Sequence, residues 1–433
     1  MRRALFAALG AAAVLLTPTR AAAQRDTIGY GELLSRAVSA DPRQRQLRLQ
    51  EAATDLRLRT IAADRLPSLT IDGQAQYQSA VTTVPIAVPG VSIPTPPHDT
   101  YDAHLGADAP LLDPTLASRR DVERARLTES QAQVRTTLFA LRQEVTDAYF
   151  AAAGLQERMA ETDAAIAELS ARLREMVTRF REGAALRGDT AAIAATLNER
   201  RQDRLVLAAD RGAALARLAL LTGQPIAGDA VLVAPPTASL VAEASRGLDS
   251  LRSRPEFEQF AATRLRLEEQ SRLATAQDRP RVSAFARLGY GRPGLNALSS
   301  DFQGYWLAGV RFHWTPFSWG TTGRDQEVLA LERELVTTNE AAFARSLARQ
   351  AQPTLATIAR LDSTLLLDES IIALREQVAR EARAQLGEGV ITAASYVNKS
   401  TDLLVARLRR VQHRVALDQA RATLLNTLGV EVR

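Results

Sequence analysis

The chain has 433 residues, 46% of them hydrophobic, with 54 basic and 49 acidic side chains. This length and apolar content suffice for several domains or for one large elongated domain. The absence of cysteine from the sequence excludes a disulfide scaffold, a zinc or iron–sulfur site with cysteine ligands, and a lipid-modified N-terminal cysteine. Lys399 is the only lysine, so the high arginine content reflects a compositional bias more than a choice of ligand.

The first 23 residues have the pattern of a secretory signal peptide. Arg2 and Arg3 precede an apolar stretch over 4–16, and three alanines over 21–23 precede Gln24, which predicts cleavage after residue 23 and not a retained membrane anchor. Removal of the three arginines in this segment lowers the formal charge from +5 to +2, which argues against a nucleic-acid partner. No later segment has the ~20 apolar residues of a spanning helix. The exported chain is therefore predicted to be periplasmic, secreted, or inserted in a membrane by strands.

The sequence contains an internal duplication. A shift of 213 residues superposes Pro42 on Pro255, Pro67 on Pro280 and Tyr77 on Tyr290. A shift of 206 residues superposes, without a gap, Pro110 on Pro316, Glu182-Gly183 on Glu388-Gly389 and Gly223 on Gly429. Residues 24–224 and 225–433 are therefore predicted to be two similar repeats, and the Pro-rich connection 81–100 accounts for the difference between the two shifts.

Each repeat is predicted to contain a helix that ends at a proline, two strands, a very long helix, a glycine-marked turn and a return helix. In the first repeat the predicted strands cover about 68–80 and 100–111, the long helix 114–181 and the return helix 189–222. In the second repeat the first helix is predicted over 239–279, the strands over about 281–291 and 302–315, the long helix over 320–386 and the return helix over 391–428.

The strand segments alternate between apolar and polar residues. In the first of them Leu69, Ile71 and Tyr77 fall on one face, and Asp72 and Gln74 on the other; the other three segments show the same period of two, which is typical of strands with two different environments. Two interpretations are open. The strands are half-buried in a small soluble sheet, or they belong to a transmembrane β-barrel with apolar side chains toward lipid and polar side chains toward a wet lumen.

Three features favour the barrel. The strands have about the ten residues needed to cross a bilayer at a tilt, and their polar face carries Gln, Asp, Arg and His side chains that a packed core would not tolerate. Aromatic residues at the strand ends are typical of membrane-interface girdles: Tyr77, Tyr101, Tyr290, Phe302, Trp306 and Trp314. Four strands cannot close a barrel, since single-chain barrels start at about eight. The barrel is therefore predicted to be shared between subunits, with eight strands from two copies or twelve from three.

The long helices have a heptad pattern. Apolar residues step by four and three from Val134 to Phe180, over 47 residues, which predicts a coiled coil. A helix over 114–181 is about 100 Å long at 1.5 Å per residue, a length that suits an assembly that crosses the periplasm. A coiled coil that serves only as a spacer or stalk is the alternative.

The sequence carries no recognisable catalytic or metal-binding arrangement. The four histidines are scattered without the spacing of metal ligands. The segment Gly289–Gly294 fits GxGxxG, but it follows an alternating strand and contains Pro293, which is more typical of a hairpin turn. Because Walker A and GxSxG sequences are also absent, we predict no enzymatic activity, no catalytic residue, no metal and no cofactor.

In the order of these features along its sequence, the chain resembles the TolC-like outer-membrane efflux and secretion channels over essentially its whole mature length. The resemblance rests on Tyr30–Leu34 leading to Asp41-Pro42, on the duplicated helix–strand–strand–helix–helix plan, on the Pro-apolar turns at Pro110 and Pro316, and on the two hairpin tips. Those tips read RFREG, with Asp189 six residues after the glycine, and LGEG, with Ser395 in the matching place.

The resemblance implies a mixed α/β membrane protein with an internal twofold repeat. Each subunit of a homotrimer would contribute four transmembrane strands to a shared twelve-stranded barrel in the outer membrane of a Gram-negative bacterium, and long helices to a coiled-coil tube in the periplasm. The implied partners are outer-membrane lipid, a periplasmic adaptor (membrane fusion) protein that grips the helix tips, and an inner-membrane transporter of the resistance or ABC type. The channel itself would have no cofactor.

The resemblance also implies that the hairpin tips dock the adaptor and gate the channel. We expect this role for the segments Gly183–Thr190 and Gly389–Tyr396, whose marked residues are Glu182, Gly183, Asp189, Thr190, Glu388, Gly389, Ser395 and Asn398. Asp189 falls where a contact that holds the entrance shut is expected. Ser395 and Asn398 stand where some relatives have carboxylates, so the resemblance does not imply a cation-attracting ring at the entrance.

The predicted function is thus a passive outer-membrane exit duct of a tripartite efflux or type I secretion system. The alternative is a soluble periplasmic coiled-coil adaptor or scaffold. Adaptors carry one helical hairpin, however, and this sequence has two.

Overall fold

A computed structural model of the chain describes residues 27–82, 95–244, 253–296 and 299–430. The predicted signal peptide over 1–23 and most of the Pro-rich connection 81–100 lie outside the described residues. No helix in the described part is both long and apolar enough to cross a bilayer.

The two halves of the chain contain matching long elements in the same order. The first half has strand β1 (Thr27–Gly29), helices α1 (Tyr30–Ala40) and α2 (Gln44–Ala63), strands β2 (Ser68–Tyr77) and β3 (Asp99–Leu112), and helices α3 (Thr115–Arg181) and α4 (Arg187–Thr222). The second half has β4 (Val231–Val233), α5 (Thr237–Ala244), α6 (Pro255–Gln277), β5 (Arg281–Arg292), β6 (Gln303–His313), α7 (Thr321–Gly387) and α8 (Ala393–Leu428). Both long helices, α3 and α7, have 67 residues, and both return helices have 36.

The structure corrects the predicted helix 239–279. Helix α5 ends at Ala244, Arg254 is extended with ψ 140°, and Pro255 begins a separate helix, α6. A proline lacks the N–H that a helix interior needs and disfavours helical dihedrals in the residue before it, but it fits the first helical position. Sequence patterns also did not predict the parallel pair of β1 and β4, because three residues are too few for an alternation to be seen.

The helices form a single layer that is four helices wide. Helix α7 is at one edge of the layer, and the other edge is formed by α4 near the tips and by α2 near the strands. Helix α3 packs against both α4 and α8, and α8 packs against α7; nearer the strands, α3 packs against α2 and α6, and α6 against α7. The orders are therefore α4–α3–α8–α7 in one half of the layer and α2–α3–α6–α7 in the other. The predicted heptad residues of α3 are mostly buried, among them Val134, Leu138 and Val145.

The strands β2, β3, β5 and β6 form one antiparallel sheet in that order. Its register places Ile71, Leu105, Leu288 and Trp306 in one row across the sheet. These apolar residues are exposed in the single chain, Ile71 by 87% and Trp306 by 72%. No described segment of the chain covers this face, which favours the barrel over half-buried strands of a soluble sheet.

A small lateral module, made of β1, α1, β4 and α5, packs on one side of the helix layer and holds the largest part of the core. Tyr30, Tyr149 and Phe150 pack there with ring centroids 5.3 to 5.9 Å apart, and all three are buried. Tyr149 donates a hydrogen bond to the carbonyl of Val233 in β4, which fixes the module to α3.

Three elements meet at one buried hydroxyl. Thr146 on α3 donates to the carbonyl of Arg142 at 2.6 Å, so its oxygen accepts from Tyr30 of α1 at 2.7 Å and from the Asn426 amide of α8 at 2.8 Å. Burial raises the pKa of Tyr30 above its usual 10.0, because the phenolate would lose its hydration there.

Replacement of this hydroxyl should destabilise the protein. In Thr146→Val the Tyr30 hydroxyl loses its acceptor and the Asn426 amide keeps only the longer contact with Gln143 at 3.5 Å, at a cost of about 1–3 kcal/mol for each poorly paired buried group. We expect the apparent thermal midpoint of the purified protein to fall by at least about 3 °C. Thr162→Val is the control, since Thr162 is equally buried on the same helix but bonds to the carbonyl of Arg158 in its own helix. Equal shifts in the two variants would contradict the network.

Candidate functional site: the two hairpin tips

The two helical hairpins turn in the same way. Gly183 and Gly389 follow the long helices with φ of +77° and +74°, a conformation that glycine adopts without strain. In each turn the residue after the glycine donates to a carbonyl five residues earlier, Ala184 to Arg179 and Val390 to Gln385, both at 2.8 Å. This is the Schellman arrangement that satisfies the last carbonyls of a helix. The glycines thus terminate α3 and α7 and set the direction of the tips.

Asp189 joins the two tips. One carboxylate oxygen accepts from the N–H of Leu186 at 3.3 Å, ahead of its own helix α4, and the other accepts from the N–H of Ala393 at 2.9 Å, the first residue of α8. A carboxylate at a helix N-terminus satisfies free N–H groups and interacts favourably with the helix dipole. Asp189 does this for both return helices at once, so it makes a contact between hairpins that lie 204 residues apart in the chain.

The second tip lacks the matching contact. Ser395 occupies the position equivalent to Asp189, and its backbone N–H donates to the Thr392 hydroxyl at 3.2 Å, an ordinary N-cap within α8. Thr190 likewise bonds locally, to the carbonyl of Arg187 at 2.8 Å. The two tips are therefore alike in backbone but not in side-chain contacts.

Arg179 makes a second link between the hairpins. From the last turn of α3 it donates to the carbonyl of Gly387, at the end of α7, at 2.7 Å. A guanidinium at a helix C-terminus satisfies free carbonyls and is favoured by the dipole. In the second hairpin, Asp189 thus binds the start of α8 and Arg179 binds the end of α7.

A small core lies behind these contacts. Met176, Ile193, Leu386 and Tyr396 are buried in it. The Tyr396 hydroxyl donates to Glu168 at 2.9 Å, and the Arg172 guanidinium lies over the ring at 5.6 Å. Burial and the adjacent Glu168 carboxylate raise the pKa of Tyr396 to about 12.

The remaining predicted tip residues face solvent. Glu182 and Glu388 cap the ends of α3 and α7 and are exposed, as is Asn398 on α8. Leu186 and Val390 lie within the two predicted tip segments but were not singled out there. They are 74% and 70% exposed and border a cavity of about 580 Å³ between the two turns, with Arg179 and Asp189 in its wall. The tips therefore offer apolar side chains beside fixed charges.

The predicted interface aromatics lie on the sheet, far along the chain from the tips. Phe302 stacks with Tyr101 and Tyr290 at 6.0 and 5.7 Å, where three strands end, and Tyr77 stacks on His98. Trp314 is at the opposite end of β6 and donates to the carbonyl of Asp278 at 3.0 Å. Trp306 lies three residues inside β6.

The other face of the sheet is mainly polar, and on it the Tyr305 side chain lies against a neighbouring strand. Tyr305 crosses above Gly289, where a Cβ would be 2.4 Å from its ring, and donates to Asp102. His104 bonds to the same carboxylate at 2.7 Å. Within the described residues no group of three His, Asp or Glu side chains is arranged to hold a metal ion.

The comparisons with known proteins agree with this architecture. Residues 33–224 match the family model described as outer membrane efflux protein. No curated protein matches the chain significantly in sequence.

Solved structures are similar to the chain over nearly its whole length. CusC is 15% identical with a TM-score of 0.67, covering 93% of this chain and 92% of its own. VceC of Vibrio cholerae is 15% identical with a TM-score of 0.62, covering 93% and 97%. MtrE of Neisseria gonorrhoeae is 18% identical with a TM-score of 0.62, covering 93% and 89%. The first repeat thus matches the outer membrane efflux protein family model, and the chain as a whole shares the fold of these channels.

Proposed function

We propose that the chain is one subunit of a passive exit duct in the outer membrane, through which an inner-membrane pump and a periplasmic adaptor export their substrates. The family and the fold support this function. The structures of relatives are described as a transmembrane channel for CusC and as the open state of an outer-membrane channel for MtrE. The observation that carries the proposal concerns the sheet and the helix layer. In both of them an element of the first repeat forms one open edge and an element of the second repeat forms the other.

In the sheet the open edges are β2 and β6. A strand edge in lipid would leave its backbone N–H and C=O groups without partners, at several kcal/mol each. β6 of one copy pairing with β2 of the next satisfies both edges and repeats until the ring closes. Three copies give twelve strands, within the range of known membrane barrels.

In the helix layer the outer helices carry exposed apolar residues. On α7 they follow a heptad seam of Leu367, Ile371, Leu374 and Val378, with Leu367 65% and Leu374 62% exposed. On the opposite side α4 exposes Leu205 and Val206. A seam of this kind is typical of a coiled coil with a further helix, which we assign to the neighbouring subunit. The alternative function, a soluble adaptor, does not account for the exposed apolar face of the strands or for these two open edges.

Closure by three copies leaves an open bore. Twelve helices with axes about 9–10 Å apart form a ring about 36 Å across between axes, with a bore of about 25 Å. Three lateral modules would obstruct such a bore, so they lie outside it. The opposite surface of the helix layer then lines the duct.

We assign adaptor docking and gating to the tips, over Gly183–Thr190 and Gly389–Tyr396. The exposed Leu186 and Val390 suit contact with the end of a helical hairpin, and the Asp189 and Arg179 bonds hold the two hairpins of each subunit together. Loosening of the tips would widen the entrance.

Assembly should depend on the α7 seam. Leu367→Glu combined with Leu374→Glu places two charges where the neighbouring helix packs, and we expect the detergent-extracted protein to lose its trimer on native gels. The matched pair Leu367→Met and Leu374→Met keeps the seam apolar and should assemble normally. A trimer of unchanged yield in the glutamate variant would show that this seam is not an interface.

The gate should depend on Asp189. In Asp189→Ala the N–H groups of Leu186 and Ala393 lose their acceptor, and we expect a larger conductance or open fraction in planar bilayers. Ser395→Ala is the pseudosymmetric control and should behave as the unsubstituted protein, since the contact at Ser395 is made by its backbone. Unchanged conductance in Asp189→Ala would contradict a gating role for this contact.

Docking should be separable from conduction. We expect Leu186→Glu with Val390→Glu to conduct in bilayers but to fail to restore export in cells that lack the gene, because the adaptor contact is charged and solvated. Restored export at the normal level would exclude these residues from the docking surface.

A further inference from the structure

A groove on the helix layer, separate from the tips and the sheet, has features of a ligand site. It lies between α3 and α8, has a volume of about 710 Å³, and is bordered by Ala151, Leu155 and Arg158 on α3 and by Val405 and Arg409 on α8. Pockets that bind small organic molecules are commonly about 300–1,000 Å³ and mainly apolar, with a few polar groups.

Close packing of the two helices forms the floor of the groove. Gly154 faces Val415, and a Cβ at residue 154 would come within 3.2 Å of the valine Cγ1. Phe150 and Val411, which also line the groove, are each only 2% exposed. The floor is therefore apolar and well packed.

The groove opens on the side of α3 away from the lateral module. Tyr149 bonds to the module, and Arg158 follows nine residues later, which at about 100° per residue places it about 180° around the helix. On the assignment above, this surface lines the bore. The groove would then be exposed to whatever passes through the duct.

The side chains of two cations at the groove have no partner among the described residues. The side chains of Arg158 and Arg409 are exposed, and neither makes a hydrogen bond or ion pair with another described residue. Their neighbours differ: Arg410 pairs with Glu161 at 3.3 Å, and Arg414 pairs with Glu157. The one carboxylate of the lining, Asp147, is 11 residues from Arg158 and accepts from Gln143 and Gln419, each at 3.0 Å.

We propose that this groove binds organic anions with an apolar body as they pass through the duct. The apolar floor would bury the body, and the guanidiniums of Arg158 and Arg409 would pair with a carboxylate, sulfonate or phosphate group. The proposal rests on the proposed function, because only a duct places this surface in a lumen. Each trimer has three such grooves.

The test is block of the channel current in planar bilayers by two probes with the same ring system. Naphthalene-1-sulfonate is the anion and 1-naphthylmethylammonium the cation, each added on the barrel side. The groove is about 34 Å from the tip along α3, counting 23 residues from Arg158 to Arg181 at 1.5 Å, so it is reached without passing the tips. We expect the anion to reduce the current at concentrations about tenfold lower than the cation.

Three variants locate the site. Arg158→Gln with Arg409→Gln should raise the half-blocking concentration of the anion by about tenfold, as expected for lost charge-assisted contacts, and Ala151→Trp should do the same by filling the groove. Arg36→Gln, on the lateral module outside the bore, should leave the block unchanged.

The possible results separate the two proposals. Steady conductance with equal block by both probes, or with anion block that neither groove variant changes, would overturn the groove as an anion site and leave the duct standing. Absence of any channel current from the purified wild-type trimer would contradict the duct itself, and with it the groove.

Discussion

The architecture of this protein depends on the unpaired edges of a four-stranded sheet whose outer face is apolar. Each of β2 and β6 presents a row of backbone donors and acceptors, and hydrocarbon offers them no water. One chain cannot satisfy them, because its strands number too few to close. On the proposed function the requirement is met by pairing with further copies, and the helices have a similar requirement, because the apolar seam of α7 is left uncovered in the single chain.

The duplication gives the subunit two similar hairpins, and the differences between them lie where function is expected. The turns at Gly183 and Gly389 have similar φ values, +77° and +74°, and the same pattern of hydrogen bonds. Asp189, however, has Ser395 as its counterpart, so the contact between the hairpins is made from one side only. A single carboxylate that holds the starts of two helices is a weak interaction beside the packed core that lies behind it. On the proposed function, this carboxylate contact is the one that a docking partner would displace to open the tips.

Much of this fold could be predicted from the sequence, because its elements are long and strongly periodic. The heptad series beginning at Val134 gave the burial of α3, the alternation around Ile71 gave the exposed face of β2, and proline and glycine marked the turns. Short or distant features could not be predicted in this way. The strands β1 and β4 have three residues each, too few for an alternation to be seen. The break at Arg254 is different, because Pro255 signals it in the sequence and the predicted helix 239–279 nevertheless ran through it. The bond from Asp189 to Ala393 and that from Arg179 to Gly387 join segments more than 200 residues apart, and no local pattern indicates which carboxylate or guanidinium will meet which helix end.

The central claim, that β6 of each subunit pairs with β2 of the next in a ring of three, can be tested directly because the chain has no cysteine of its own. A single cysteine at Ile71 in β2, combined in turn with one at each of residues 306–312 in β6, would be oxidised in intact outer membranes and analysed on denaturing gels. Within one subunit these strands are three spacings apart, about 14 Å, too far for a disulfide. The account predicts that at least one pair gives a ladder of one, two and three linked chains that ends at three. A ladder that ends at two, or no linked species from any pair, would contradict it.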